Sequence, residues 1–248
     1  ALPDSGTAVV NATDLRVVRE AGRCRARKIF FGVALNEFSG RILSMDDRGM
    51  QIAVRTPSGE FASALPVTGE HHLMNALAAT AAAYVLGMRP EGLAEGFASF
   101  IPVRGRFHSI ALRGGGLLLD DTYNANPASM EAAIRSLRIL QGSRRTVAIL
   151  GDMLELGEAS PASHYRIGHL AAGSSVGVLF TFGEEAARIA QGAIEGGMDP
   201  EKVMHTGDRD RLTAMVMDAL REGDAILVKG SRGMSLEGIA AEIEREWA

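Results

Sequence analysis

The chain has 248 residues, of which 46% are hydrophobic and 23% charged, a globular composition that allows one large or two ordinary domains. The formal net charge is −4 with acids and bases interspersed, so no basic stripe indicates a nucleic-acid partner. No apolar run approaches the roughly 20 residues of a membrane span, and the single cysteine, Cys24, excludes an internal disulfide and fits a reducing compartment, the cytoplasm.

The first half of the chain reads as strands followed by a helix. Short apolar segments bounded by turn residues predict strands at 7–11, 28–33, 41–45, 50–55 and 61–66. The last three are separated by typical turn residues, which predicts an antiparallel meander. An alanine-rich helix follows from about His72 to Leu86 and is ended by Gly87.

The second half alternates strands with helices. The strands are predicted at 117–119, 146–150, 177–181, 203–205 and 225–229, and the helices near 128–140, 161–172, 184–195, 208–221 and 235–246. The first of these helices has apolar residues at helical spacing, which are predicted to face the sheet: Met130, Ile134, Leu137 and Leu140. Repeated βα units predict an α/β fold with a doubly wound, mostly parallel sheet and right-handed crossovers. The change of rhythm predicts a domain boundary near residues 103–106.

The turn after the strand at 117–119 carries the sequence Asp-Asp-Thr-Tyr-Asn-Ala-Asn-Pro at residues 120–127. Asn126 is suited to cap the following helix, and Pro127 is suited to its first position. In one interpretation the polar residues serve turn geometry and Tyr123 packs. In the other, Asp121 with Asn124 or Asn126 contacts a ribose, a phosphate or a metal-bound water, because a helix start attracts anions.

A second polar loop, residues 151–157, follows the strand at 146–150. Asp152 and Glu155 in this loop can position an amine or a water molecule. A structural interpretation is equally open, in which the loop is bounded by its glycines and packs with Met153 and Leu154 turned inward.

A third polar loop, residues 229–233, follows the last predicted strand. Lys229, Ser231 and Arg232 precede a helix and can hold a carboxylate or a phosphate, although a solvated basic turn is the alternative. Because the carboxyl ends of parallel strands share one edge of a sheet, the three loops predict a single cleft. The loop is not a P-loop, since no GxxxxGK[ST] string occurs in the chain.

Three further polar residues are candidates with simpler alternatives. His72 and Asn75 lie three residues apart on one helix face and can reach a base or ribose, or reflect helix-start polarity. Arg106 can bind a phosphate or be a surface charge. No metal ligands are predicted, because the adjacent side chains of His71 and His72 point about 100° apart on a helix.

Taken together, these strings resemble the Mur ligase family over nearly the whole chain. The similar segments follow the family order: residues 11–14, 69–79, 105–106, 120–127, 150–157 and 228–232. The strings YNANP and GDMLELG favour the branch of the family that adds D-alanyl-D-alanine. His72 departs from the pattern, because the family has asparagine at that position.

The resemblance implies a fold and a reaction. Residues 1–104 are expected to be the rear part of a central ATPase domain with the meander, and residues 105–248 a Rossmann-like C-terminal domain. ATP would phosphorylate the carboxylate of UDP-N-acetylmuramoyl-tripeptide, and the amine of D-alanyl-D-alanine would attack the acyl phosphate. The family's P-loop, Mg²⁺ ligands and N-terminal domain are expected upstream, so the chain is interpreted as a fragment that is inactive alone.

The resemblance also implies roles for individual residues. Nucleotide contacts are expected from His72, Asn75, Arg106, Asp121, Asn124 and Asn126; catalytic roles from Arg106, Asp121 and Lys229; and substrate contacts from Asp152, Glu155, Lys229, Ser231 and Arg232. Two other classes of function stay open at this point. One is a non-catalytic Rossmann-like module that binds a nucleotide or peptide. The other is a sibling ligase, such as a diaminopimelate- or lysine-adding enzyme or a folylpolyglutamate synthase. The sequence leaves the oligomeric state open.

Overall fold

A computed structural model describes residues 2–34 and 37–248. The chain divides into two compact units, Ala1–Ile101 and Pro102–Ala248. The more detailed assignment, a central-domain part at 1–104 and a C-terminal domain at 105–248, stays a prediction.

Within its described residues, 2–34 and 37–101, the first unit is a five-stranded sheet with three helices. Its elements are β1 (Thr7–Asn11), α1 (Leu15–Ala21), β2 (Arg27–Gly32), β3 (Phe38–Asp46), β4 (Gly49–Thr56), β5 (Gly59–Leu65), α2 (Glu70–Val85) and α3 (Pro90–Ala98). The strand order is β1-β2-β3-β4-β5, with the first three parallel and β3 to β5 antiparallel. The predicted meander is therefore confirmed. Leu73, Leu77 and Ala81 of α2 are buried in one cluster with Ile52 and Val54 of the sheet.

Helices α1 and α3 were not predicted because neither carries a long apolar stripe. Helix α1 has no buried residue and begins where the Asp14 carboxylate accepts the backbone N–H groups of Arg16 and Val17. Helix α3 buries only Leu93 and starts at Pro90. Asp14 caps the start of α1, and Pro90 suits the first position of α3, whereas hydrophobic periodicity gives little signal for such short helices.

The second unit is a six-stranded sheet with helices between its strands. Its elements are β6 (His108–Leu112), β7 (Gly116–Asp121), α4 (Pro127–Leu140), β8 (Thr146–Gly151), α5 (Ser160–Gly173), β9 (Val178–Phe182), α6 (Ala187–Glu195), β10 (Val203–Thr206), α7 (Arg209–Ala219), β11 (Ala225–Lys229) and α8 (Glu237–Trp247). The strand order is β10-β9-β8-β11-β7-β6. All neighbours are parallel except β6, which runs antiparallel to β7. The predicted doubly wound, mostly parallel α/β sheet is confirmed.

The edge strand β6 was missed by the sequence analysis. It pairs only with β7 and is mostly half-buried, so it lacks the continuous apolar run of a central strand. The central strands β8, β9 and β11 are buried along their whole length, as expected for a sheet covered on both faces.

Helix α4 forms as its sequence predicts. Asn126 and Ser129 make reciprocal side-chain to backbone bonds, a capping box, and Pro127 is the first helical residue. The four predicted sheet-facing residues are all buried: Met130, Ile134, Leu137 and Leu140. Because the cap and the apolar stripe agree, the helix start is fixed directly after the polar turn.

Candidate functional site

The three polar loops of the second unit follow three neighbouring strands. Strand β11 lies between β7 and β8, and Lys229 at its end is in register with both Asp121 and Leu150. Residues 122–126, 152–157 and 230–233 therefore emerge at the same edge of the sheet. This is the arrangement expected from the parallel topology.

Lys229 joins two of these loops. Its ammonium Nζ donates to Asp121 Oδ2 at 2.6 Å and to the backbone oxygen of Asn124 at 2.8 Å. The side chain of Lys229 is 2% exposed and that of Asp121 is 16% exposed. The structure thus places the ammonium group inside the loop cluster, where it orders Asp121 and the backbone at Asn124.

The carboxylates that end β7 hold the backbone on both sides of Arg106. Asp120 Oδ2 accepts the Gly105 N–H at 3.0 Å, and Asp121 Oδ1 accepts the Phe107 N–H at 3.0 Å. Phe107 is buried and has a φ of 55°, in the left-handed region. Arg106 is therefore presented on a turn that two adjacent acids fix in place.

Asp120 and Phe107 were not predicted as contributors to the site. Asp120 is buried, and its other oxygen, Oδ1, accepts the hydroxyl of Thr122 at 2.7 Å. The Asp-Asp pair at a strand end was visible in the sequence, but only the fold shows that both acids bind the same distant turn. No local pattern indicated the strained conformation of Phe107.

Tyr123 brings the two predicted arginines together. The Cζ atom of Arg106 lies 3.9 Å from the centre of the Tyr123 ring, and that of Arg232 lies 5.1 Å from it. The ring is 41% exposed, so the interpretation of Tyr123 as a packing residue is incomplete. Both guanidinium groups lie within cation–π distance of this one ring.

Ser231 connects all three loops. Its hydroxyl accepts the Leu154 N–H at 2.8 Å and donates to the Ala125 oxygen at 3.3 Å, while its backbone N–H donates to the Asp152 oxygen at 2.9 Å. Ser231 is buried. Its position organises the edge formed by residues 122–126, 152–157 and 230–233, which we call the rim. The predicted contact of Ser231 with substrate stays a prediction.

Asp152 and Glu155 have different environments. The Asp152 carboxylate is buried and accepts the Ala186 N–H at 2.6 Å, which ties the loop to the start of α6. Glu155 is exposed and has a φ of 63°. Met153 is buried as one interpretation expected, whereas Leu154 is 44% exposed, so its inward packing was wrong. The structure does not bring the two carboxylates into one pair.

A buried histidine supports the same loop and was missed. His164 is fully buried, and its Nε2 accepts the Met153 N–H at 2.9 Å. Its Nδ1 lies 2.8 Å from the Ser160 oxygen, which assigns the ring proton to Nδ1. In the sequence this residue is one of several polar positions on α5, and only the packing distinguishes it.

The two predicted asparagines have similar environments. Asn126 Oδ1 accepts the Ser129 N–H in the helix cap. Asn124 Oδ1 accepts the N–H of Ala125, the next residue. Both residues are exposed, so either side chain can meet a ligand through its amide nitrogen.

In the first unit, His72 and Asn75 lie in the first two turns of α2. Asn75 is exposed, whereas His72 Nε2 is buried and, among the described residues, has no hydrogen-bond partner. Burial, with a smaller contribution from the neighbouring His71, lowers the pKa of His72 to about 4. The imidazole of His72 is therefore neutral at pH 7.

No group of three or more His, Cys, Asp or Glu side chains in residues 2–34 and 37–248 could hold a metal ion. In the same residues, no helix is long and apolar enough to cross a membrane.

Comparison with known proteins identifies both halves of the chain. The model of the Mur ligase glutamate ligase domain matches residues 105–232, and that of the Mur ligase middle domain matches residues 1–83. The UDP-N-acetylmuramoyl-tripeptide–D-alanyl-D-alanine ligase of Bacillus subtilis is 31% identical over 230 residues, which cover 93% of this chain and 50% of that protein.

Solved structures agree with this match. A crystal structure of MurF from Acinetobacter baumannii has 28% identity and a TM-score of 0.83, and the match covers 98% of this chain and 52% of that one. MurF from Thermotoga maritima, solved in complex with ADP, has a TM-score of 0.82 over 98% of this chain and 54% of that one; at 23% identity it shows a shared fold.

The chain spans about half the length of the relatives it matches. The two domain models match in consecutive order, and the structure has the expected meander followed by the doubly wound sheet. The resemblance seen in the sequence is thereby confirmed: this chain belongs to the Mur ligase family.

Proposed function

We propose that the protein containing this chain uses ATP to join D-alanyl-D-alanine to UDP-N-acetylmuramoyl-tripeptide through an acyl phosphate. The names of the relatives support this reaction. The structural observation that carries the proposal is the joining of three loops at one edge of the second sheet through Lys229 and Ser231. This edge gathers cations, amides and a carboxylate next to exposed surface.

The proposed chemistry has two steps. A carboxylate oxygen of the peptide attacks the γ-phosphorus of ATP, and ADP leaves. The amine of D-alanyl-D-alanine then attacks the acyl carbon, phosphate leaves, and the amine loses a proton. Both steps bring anions together, so fixed cations and oriented donors lower the barrier.

The residues of the second unit are assigned roles by their positions. Arg106 faces the phosphate groups, Asp121 and Asn124 face the ribose or phosphate, and Arg232 faces the substrate. Buried Lys229 holds Asp121 in place and acts on the reaction through it. Asn126, Ser231, Asp152 and Glu155 are proposed to shape the loops that receive these ligands.

Nucleotide binding by α2 is a separate part of the proposal. The neutral imidazole of His72 and the exposed amide of Asn75 can both hydrogen-bond an adenine. Mg²⁺ is proposed as the cofactor of ATP. The described residues offer no cluster for the ion, so no step assigned to this chain depends on a metal ligand.

The proposed reaction also indicates a compartment. ATP and nucleotide-linked precursors are substrates of the cell interior, and a single cysteine without a disulfide partner is consistent with reducing conditions. On these grounds we propose a cytoplasmic location.

The test is ADP release by the complete reading frame that contains this chain. With UDP-N-acetylmuramoyl-tripeptide present, D-alanyl-D-alanine should support turnover, whereas lysine, diaminopimelate, glutamate or D-alanine alone should not. Faster turnover with a single amino acid would favour a sibling ligase, and nucleotide binding without turnover would favour a binding module. Residues 1–248 alone are expected to give no turnover, because they contain no GxxxxGK[ST] loop for the triphosphate.

A further inference from the structure

Two arginines from different loops share one aromatic ring. Arg106 comes from the turn before β6, and Arg232 comes from the loop after β11. Their Cζ atoms lie 3.9 and 5.1 Å from the centre of the Tyr123 ring, so the two guanidinium groups are no farther apart than these distances combined. Two cations repel each other at this separation unless something compensates.

Carboxylates do not offset the repulsion between these two guanidinium groups. Within residues 2–34 and 37–248, neither Arg106 nor Arg232 forms an ion pair, and both side chains are exposed. By contrast, Arg104 on the same turn is paired with Glu244 at 2.8 Å. The electron-rich faces of a tyrosine ring attract guanidinium groups and also restrict their rotation.

A backbone hydrogen bond fixes the position of Tyr123. The Tyr123 N–H donates to the Gly105 oxygen at 2.8 Å, next to Arg106 in the chain. Asp120 and Asp121 fix the same turn from the strand end. The backbone of Tyr123 is therefore fixed to the turn that carries Arg106. From this position the Tyr123 ring also contacts Arg232.

There is open space beside this group. A cleft of about 380 Å³ is lined by Tyr123 and Arg232 on one side and by α8 on the other. Of the acids lining it, Asp120 is hydrogen-bonded to Gly105 and Glu244 is paired with Arg104, so among the described residues Glu237 is the lining acid without such a partner. Arg232 lines this cleft and Arg106 does not, but both guanidinium groups are exposed, so an anion can reach them from solvent.

We propose that Tyr123 is a positioning residue that holds Arg106 and Arg232 together as one site for a di- or triphosphate group. The inference rests on the proposed function for the phosphate contact of Arg106. It changes the partner of Arg232 from substrate to phosphate and gives Tyr123 a role. The aromatic face carries the effect, because the Tyr123 hydroxyl makes no hydrogen bond within the described residues, 2–34 and 37–248. The site requires only a phosphate-class anion and does not depend on peptide ligation.

The test measures binding of inorganic tripolyphosphate to the full chain by calorimetry. Tyr123→Leu removes the ring but keeps an apolar side chain, and it should weaken binding about three- to fivefold, the size of an exposed cation–π contact. Tyr123→Phe keeps the ring and should bind within about twofold of the unaltered chain. Arg106→Gln and Arg232→Gln should each weaken binding more, and their combined effect should depart from additivity because they serve one anion.

A matched control distinguishes the loss of an arginine at this site from the loss of one positive charge elsewhere on the chain. Arg135→Gln removes an exposed arginine that lies more than two turns into α4, and it should leave tripolyphosphate binding unchanged. The thermal midpoint of Tyr123→Leu should stay near that of the unaltered chain, because the ring is 41% exposed.

Three results would overturn the inference: no binding by the unaltered chain at millimolar tripolyphosphate, equal binding by Tyr123→Leu, or equally weak binding by the Phe and Leu variants. Each is independent of the ADP-release assay, so failure of this inference is distinguishable from failure of the proposed ligase reaction.

Discussion

At the scale of single residues, the site depends on one buried ion pair. If Asp121 is lost, water cannot solvate the Lys229 ammonium group in its place, because the Lys229 side chain is only 2% exposed. An uncompensated buried charge is costly, whereas removal of both charges costs much less. Breaking the Lys229–Asp121 pair is therefore expected to lower the stability of the chain.

We expect Lys229→Met to lower the free energy of unfolding by about 3 kcal/mol, because it leaves the Asp121 carboxylate without its cation. Urea denaturation of the chain measures this. Arg135→Met, which breaks an exposed pair with Glu131, is the matched control and should cost less than about 1 kcal/mol. The double variant Lys229→Met with Asp121→Asn should recover part of the loss. Equal costs for the two single variants would show that Lys229 is not the anchor of the rim.

His72 predicts a dependence of stability on pH. Its pKa is about 4 in the folded chain and near 6.5 when unfolded, so between these values the unfolded chain binds more protons. The contribution of His72 to the free energy of unfolding is present in full above pH 6.5. It decreases as the pH falls towards 4, by an amount on the order of 2–3 kcal/mol.

The check is the free energy of unfolding at pH 7, 5.5 and 4.5 for the unaltered chain and for His72→Asn. The variant carries no titrating group at this position, so its stability should fall less over the same interval. A pH profile that His72→Asn leaves unchanged would contradict the assignment.

At the scale of elements, helices α5 and α6 approach each other through glycines. A Cβ atom added to Gly168 would lie 2.1 Å from the Ile189 oxygen, and one added to Gly192 would lie 2.2 Å from the Tyr165 oxygen. Both neighbours are backbone atoms, so neither can move aside without a shift of a helix. The loop at 151–157 precedes α5, and its Asp152 is bonded at the start of α6, so this contact also supports the rim.

Gly192→Ala should therefore destabilise the second unit by about 1–3 kcal/mol, the usual cost of overpacking, despite the better helix propensity of alanine. Gly238→Ala in α8 meets nothing within 4 Å and should stabilise by roughly 0.5 kcal/mol. Thermal denaturation compares the two substitutions directly. If both substitutions stabilise the chain, the close approach of α5 and α6 is not real.

At the scale of the whole molecule, each unit has its own core. One buried cluster draws its members from residues 29–81, and another draws its members from residues 112–243. In the second unit, Arg145 pairs with buried Asp224 at 2.6 Å, and that hydrogen-bonded carboxylate raises the pKa of the arginine. A separate core and its own polar anchors are the properties of a domain that folds alone.

Residues 102–248 expressed alone should accordingly fold and unfold in one cooperative transition. An amide NMR spectrum of this segment should be well dispersed and overlay on the corresponding signals of the full chain. A collapsed spectrum, or a gradual loss of structure on heating, would show that the second unit needs the first.

Much of the architecture was predictable because the local signals agreed with the fold. The turn residues of the meander, the continuous apolar runs in the central strands, and the Asn126-Pro127 start of α4 each predicted the element that forms. Elements whose ends depend on caps or on edge pairing, such as α1, α3 and β6, gave weak periodicity and were missed. The order of the strands was beyond reach of such patterns, because pairing joins segments distant in the chain.

The sequence by itself determined the class of the fold, the family and the three polar loops, because these depend on residue types at short spacing. Only the tertiary structure decided what each side chain in those loops does. It placed Lys229 inside the rim and bonded the Asp152 carboxylate to the start of α6. It also brought the Tyr123 ring within cation–π distance of both Arg106 and Arg232. Such contacts join residues more than a hundred positions apart in some cases, and their geometry follows from how strands pair and helices pack.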